Sequence, residues 1–104
     1  MTVQFNTANN INGSEEMNDR LSAVISDKLS RFSDQITRIE AHLSDNNGQK
    51  EGQNDKQCTL EARLEGMQPI VATNTADTYD EALTGAITKI KSSLNTAIGK
   101  LKNH

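Results

Sequence analysis

Residues 77–101 read DTYDEALTGAITKIKSSLNTAIGKL, and this stretch decides the fold. Its apolar residues recur at spacings of three and four, which is the period of one face of an α-helix. Thr78 and Glu81 stand three positions apart at its start, as a helix capping box requires. The pattern predicts a helix ~36 Å long at about 1.5 Å per residue, so the remaining segments have to supply an apolar surface for it. Its predicted buried face consists of Tyr79, Ala82, Leu83, Ala86, Ile87, Ile90, Leu94, Ala97, Ile98 and Leu101.

The segments before this helix predict four strands and one further helix. Polar and apolar residues alternate over 2–7, 36–45 and 57–64, which is the period of a strand with one buried face. A fourth strand is predicted over 68–74, where Pro69 near the start suits an edge strand or the beginning of a strand. A helical stripe runs over 14–32, and the polar segment 46–56, rich in Gly and Asn, predicts a loop.

The order strand, helix, three strands, helix predicts an α+β fold over residues 1–104 as a single domain. The last three strands should form a meander, and the first strand should pair in parallel with the second. Both helices should cover one face of this four-stranded mixed sheet, with Leu83, Ile87, Ile90 and Leu94 against Phe5, Leu43 and Leu60. The other face, open to water or a partner, should carry Arg38, Glu40, His42, Thr59, Glu61 and Arg63.

Composition excludes several classes of protein. The 104 residues carry a net charge of −3, so a basic surface for nucleic acid has to be local. One tyrosine, two phenylalanines and no tryptophan argue against an aromatic platform for stacking bases. A single cysteine excludes an internal disulfide and fits a reducing compartment. No apolar run approaches a membrane span, and the first residues lack the pattern of a signal peptide, so we expect a cytoplasmic protein.

No constellation of residues predicts catalysis, a cofactor or a metal site. His42 and Cys58 should point to opposite faces of the sheet, which argues against a shared metal or a Cys–His nucleophile. The segment from Asp45 resembles a calcium loop for four residues only, because lysines stand where the loop glycine and the bidentate acid belong. Glu40 and Glu61 can neighbour each other across strands, and with arginines beside them a surface charge ladder is the preferred interpretation.

Three stretches carry a resemblance to a known family. They are KLSRF…ITRI from Lys28 to Ile39, CTLEARL from Cys58 to Leu64, and ADTYDEA from Ala76 to Ala82. With the order of elements, the chain resembles the ribosome hibernation promoting factor and ribosome-associated inhibitor family, also called sigma-54 modulation proteins, as a divergent short form. The resemblance runs through nearly the whole chain.

The resemblance implies a translation inhibitor that binds the small ribosomal subunit and its RNA near the decoding region, by occupancy and without chemistry. It implies no small-molecule substrate and no membrane, and no pairing of ribosomes through the C-terminal dimerisation domain of the long form. The candidate RNA-binding residues are Lys28, Arg31, Arg38, Arg63, Lys89, Lys91, Lys100 and Lys102.

The lysines of the last helix should flank its buried face in two rows. At about 100° per residue, Lys89 and Lys100 fall on one side of Ile90, and Lys91 and Lys102 fall on the other. Two rows of this kind can bind phosphates from either side of the buried face. The alternative is that these lysines only solvate the helix and complement its dipole.

Two other functions compete with ribosome binding. A double-stranded RNA binder shares the helix–strand–strand–strand–helix order, but this chain places Asp77, Asp80 and Glu81 where that module is normally basic. A protein-binding regulatory module acting through the open sheet face is the principal alternative, since that face carries mixed charges.

Overall fold

The computed structural model describes residues 1–7, 15–45 and 55–102. The elements occur in the predicted order, and one 3₁₀ turn at Ser30–Phe32 separates the first helix from the second strand. They are β1 (Thr2–Thr7), α1 (Glu15–Lys28), β2 (Ile36–Asp45), β3 (Lys56–Leu64), β4 (Ile70–Ala76) and α2 (Tyr79–Lys102).

The four strands form one mixed sheet in the order β1-β2-β3-β4. β1 pairs in parallel with β2, while β2–β3 and β3–β4 are antiparallel. This is the predicted meander preceded by one parallel crossover, and the predicted α+β class is confirmed. Neither described helix combines the length and apolar character needed to span a bilayer.

The hydrophobic core lies between one face of the sheet and the two helices. Leu21 and Ile25 of α1 and Ile90 of α2 have no exposed surface and belong to the same buried cluster as the sheet residues. The predicted partners Leu43 and Leu60 are buried with them, whereas Phe5 is partly buried and packs against the cluster. Both helices therefore cover one face, and the strand parity predicted from the alternating pattern is confirmed.

The first helix is shorter than the predicted range 14–32. α1 ends at Lys28, and Leu29 leaves the helical conformation with φ −105° and ψ 14°. Its N–H still bonds Ile25 O at 2.9 Å, and the 3₁₀ turn that follows buries Phe32. Because residues three apart also share a side of a 3₁₀ helix, the apolar spacing did not distinguish the two conformations.

Three further boundaries differ from the predicted ones. β4 begins at Ile70 and not at 68, because Pro69 has no N–H to donate to a ladder, and it continues to Ala76, which pairs with Lys56. α2 begins at Tyr79 because Thr78 is its cap: the Glu81 N–H donates to Thr78 Oγ1 at 3.1 Å, as the capping box predicts. Lys56, predicted in the loop, is the first residue of β3, and residues 46–54 lie outside the described part.

Gly85 lets β4 and α2 approach closely. A Cβ at this position would overlap the side chain of Asn74, whose Nδ2 donates to Ala82 O at 3.3 Å. Only glycine leaves room for this tie between strand and helix. A turn follows β3, with Gly66 at φ +77°, a conformation that favours glycine.

Candidate nucleic-acid interface

The predicted cationic residues are distributed over two sides of the molecule. Lys28, Arg31, Lys89 and Lys91 belong to the helical layer and its 3₁₀ turn, and Arg38 and Arg63 belong to the open sheet face. The side chains of Lys100 and Lys102 lie outside the described part, although their backbone continues α2. The structure therefore does not bring all the predicted residues onto one surface.

Lys28 and Lys91 lie together on a groove between α1 and α2. The groove is lined by Val24, Lys28, Thr84, Ile87, Thr88 and Lys91. Among the described residues, no carboxylate lies within ion-pair distance of either lysine. The hydroxyls of Thr84 and Thr88 donate to carbonyls one turn back in α2, at 2.8 and 3.1 Å. The groove thus offers two ammonium groups that are available to an anion.

Arg31 is fixed at the end of the helical layer, beyond α1. Its guanidinium donates to Asn95 Oδ1 at 2.9 Å and lies 4.9 Å from the centroid of the Phe32 ring. A guanidinium carries five N–H donors, so these contacts orient the side chain and leave donors exposed to solvent. Arg31 is therefore held against Asn95 of α2, at the end of the helical layer, with part of its guanidinium exposed.

Lys89 points away from that groove. Its Nζ donates to Thr73 O of β4 at 2.9 Å, on the opposite flank of α2 from α1. Lys89 and Lys91 thus flank the buried face of α2 in opposite directions, as the angular spacing predicts. The ammonium of Lys89 is partly satisfied by a backbone carbonyl, whereas no such contact occupies Lys91 among the described residues.

Arg38 and Arg63 are held by carboxylates on the open sheet face. Arg63 Nε lies 3.1 Å from Glu40 Oε2 and its NH2 group lies 3.4 Å from Glu61 Oε2, while Arg38 lies 3.6 Å from Glu40. The pKa of the Glu40 carboxyl lies below its usual value, because it shares a hydrogen bond with Glu61 and accepts one from Arg63. This is the charge ladder predicted from the sequence, and it neutralises the two arginines locally.

His42 and Cys58 lie on opposite faces of the sheet, as predicted. His42 is exposed on the open face, whereas Cys58 has no exposed surface and lies among core residues. Burial in apolar surroundings disfavours the thiolate and raises the pKa of Cys58 to about 12. The pair therefore forms neither a metal site nor a nucleophile and its base.

A partly buried ionic cluster lies where β2 ends and β3 begins, and the sequence did not predict it. Lys56 Nζ bridges Asp45 at 2.9 Å and Asp55 at 3.2 Å, and it lies 5.8 Å from the centroid of the Tyr79 ring. Asp55 is only 5% exposed. Burial, followed by the charge of Asp45, raises the pKa of Tyr79. The cluster joins the last residue of β2 and the first residue of β3 to the start of α2. No local sequence pattern in this polar stretch predicts these ion pairs.

Comparison with known proteins identifies the family. The sequence model described as "Sigma 54 modulation protein / S30EA ribosomal protein" matches residues 6–102. The chain belongs to this family. The S30EA family is a class of ribosome-associated, non-catalytic factors, which agrees with the resemblance found in the sequence. No curated protein sequence matches the chain significantly.

Two solved structures of similar proteins have the same fold. One is a ribosomal subunit interface protein from Coxiella burnetii, with a TM-score of 0.67 and 20% identity over 100% of both chains. The other is the N-terminal domain of Thermus thermophilus Protein Y, with a TM-score of 0.70 and 14% identity over 92% of this chain and 98% of that one. At these identities the likeness establishes a shared fold and leaves the binding residues to be tested.

Proposed function

We propose that this S30EA protein binds the small ribosomal subunit near the decoding region and inhibits translation by occupying that site. The observation that carries the proposal is the family match over residues 6–102. The ribosomal subunit interface protein of similar fold supports it. Inhibition by occupancy requires shape and charge alone, and the site of action would be the cytoplasm, where ribosomes work.

The helical side is the better candidate for the RNA contacts. Lys28 and Lys91 have no carboxylate partner among the described residues, and Arg31 keeps free donors beside them. The arginines of the open face already share their charge with Glu40 and Glu61. An RNA phosphate would have to displace those carboxylates, whereas at the groove it displaces only water and counterions. We therefore assign the primary contacts to the side of Lys28, Arg31 and Lys91.

Cosedimentation with ribosomes across a salt series tests the proposal. The wild-type chain should pellet with small subunits at low salt and dissociate as salt rises. Lys28→Gln with Lys91→Gln removes two positive charges and should weaken association. It should also make the dependence of log affinity on log salt less steep, by about 1.4–1.8, since each phosphate contact contributes about 0.7–0.9 to that steepness. Absence of the wild-type chain from every ribosomal fraction at low salt would contradict ribosome binding itself.

A matched double variant on the other face locates the interface. Arg38→Gln with Arg63→Gln removes the same charge from the sheet side and should change the salt slope less than the lysine pair does. A larger effect of the arginine pair would move the interface to the open sheet face. Association that responds to neither pair would turn attention to Lys89 and Lys100, which the angular spacing assigns to the other flank of α2, and to Lys102. Circular dichroism of each variant verifies that folding is intact.

A further inference from the structure

The open sheet face holds three potential metal ligands, two of which also belong to the charge ladder. The β2–β3 register places Glu40 directly opposite Glu61, and His42, two residues along β2, shares their face. One ligand atom from each of the three lies within 4.8 Å of the other two. Two carboxylates and one imidazole therefore lie close together on the open face of the sheet.

This donor set selects a class of ion. Oxygen ligands alone suit Mg²⁺ and Ca²⁺, whereas a mixture of imidazole and carboxylate suits Zn²⁺ and neighbouring divalent transition metals. Zn²⁺ takes such ligands at about 2.0–2.2 Å, so tetrahedral ligands lie roughly 3.4 Å apart. The three side chains need to close by little more than an ångström, and the exposed imidazole of His42 is free of core packing that would prevent it.

The two carboxylates also require positive charge. Like charges directly opposite each other across two strands are unfavourable, and Glu40 and Glu61 are only 13% and 24% exposed. In the ion-free protein Arg63 supplies that charge, with its guanidinium across both carboxylates. The Arg63 side chain is 45% exposed and can turn into solvent, so a divalent ion and this guanidinium would compete for the same oxygens.

We propose that Glu40, His42 and Glu61 form a binding site for one divalent transition-metal ion, represented by Zn²⁺, with Arg63 as the group that the ion displaces. Solvent completes the coordination, because the site lies on an open face. Binding adds two positive charges to this face and frees a guanidinium. The proposal is independent of ribosome binding, since no residue of the site belongs to the helical groove.

Calorimetric titration of the EDTA-treated full chain with ZnCl₂ tests the site. We expect one ion per chain. His42→Ala should weaken binding by at least about tenfold, as expected for loss of a direct ligand when even indirect partners cost that much. The chain contains two histidines, so His104→Ala is the matched control and should bind like wild type. Glu61→Gln provides a second ligand variant, and circular dichroism verifies the fold of each protein.

Competition between Zn²⁺ and Arg63 predicts a variant that binds the ion more tightly than wild type. Arg63→Gln removes the displaced cation and should strengthen Zn²⁺ binding, whereas a purely structural role of this face predicts no metal effect. Cys58→Ser should leave binding unchanged, because the thiol lies on the opposite face. The proposal is overturned if His42→Ala binds Zn²⁺ like His104→Ala, if Arg63→Gln weakens binding, or if Ca²⁺ binds as tightly as Zn²⁺.

Discussion

The thiol of Cys58 shows how far folding changes the chemistry of one side chain in this protein. It lies on the helix side of β3 with no exposed surface, and its pKa is raised to about 12 by burial. A thiol reagent is attacked by the thiolate, and the folded protein offers neither the ionised form nor access to it. The residue therefore reports directly on whether the strand register is correct.

We predict that native protein resists a thiol reagent at pH 8 and reacts rapidly after unfolding in denaturant. Ellman's reagent with stopped-flow detection measures both rates. Fast labelling of the folded chain would place Cys58 on the open face and contradict the register.

The same burial predicts a pH dependence of stability. Between the ordinary thiol pKa of 9.0 and about 12, the unfolded chain loses the Cys58 proton while the folded chain retains it. Stability should therefore fall as pH rises through this window. Denaturation curves of wild type and Cys58→Ala isolate the effect, because the two proteins share every other ionisable group. Parallel losses of stability in the two proteins would count against it.

At the scale of elements, α2 organises the core through one row of residues. Ile90 has no exposed surface and lies between Ile87 and Leu94 along the buried side of the helix. Ile90→Ala should lower the free energy of unfolding by about 2–5 kcal/mol, because the lost methylene and methyl groups leave a cavity. Urea denaturation at constant m-value measures the loss. Ser93→Ala on the exposed side of the same helix is the control and should change little; equal midpoints for Ile90→Ala and wild type would refute the assigned face.

The elements show which features of the fold follow from sequence. The face of α2, the buried side of each strand and the Thr78–Glu81 cap followed from spacing alone, because burial imposes periods of 3.6 and 2. The 3₁₀ turn at Ser30–Phe32 did not, because an apolar residue at every third position fits both helix types. Two strands begin one or two residues away from their predicted starts. β4 begins after Pro69, and β3 already includes Lys56.

The sequence indicated which cationic residues to test as RNA contacts, and it did not indicate the contacts that each of them makes in the fold. Lys89 and Lys91 lie on the two flanks of α2 that angular spacing assigned to them, while the side chains of Lys100 and Lys102 lie outside the described part. Their availability could not be predicted, because the bond from Lys89 to Thr73 O and the ion pairs of Arg63 depend on which strands are neighbours. The convergence of Glu40, His42 and Glu61 likewise needs the β2–β3 register, which no single segment contains.

At the scale of the whole molecule, the two sides differ in whether their cationic side chains are paired with carboxylates. The helical side exposes Lys28 and Lys91 without carboxylate partners among the described residues, and the sheet side pairs its arginines internally. A chain with a net charge of −3 can therefore still expose two lysines in one groove that have no carboxylate partner among the described residues. Under the proposed function, the two lysines of the groove would set the orientation of the protein on RNA, because the arginines of the sheet side already share their charge with carboxylates.

The ionic cluster around Lys56 has a practical consequence for protein engineering. Asp45 and Lys56 are paired across the β2–β3 ladder and bridged at 2.9 Å, so both ends of the 46–54 segment are anchored in the sheet. Doubling the length of an anchored connection costs only about 0.6 kcal/mol of closure entropy. A peptide tag inserted after Gly48 should therefore leave the melting temperature nearly unchanged, whereas the same tag after Gly66, a tight turn at φ +77°, should lower it markedly. This segment is thus the natural place to attach a fluorophore or affinity handle for following the protein in cells.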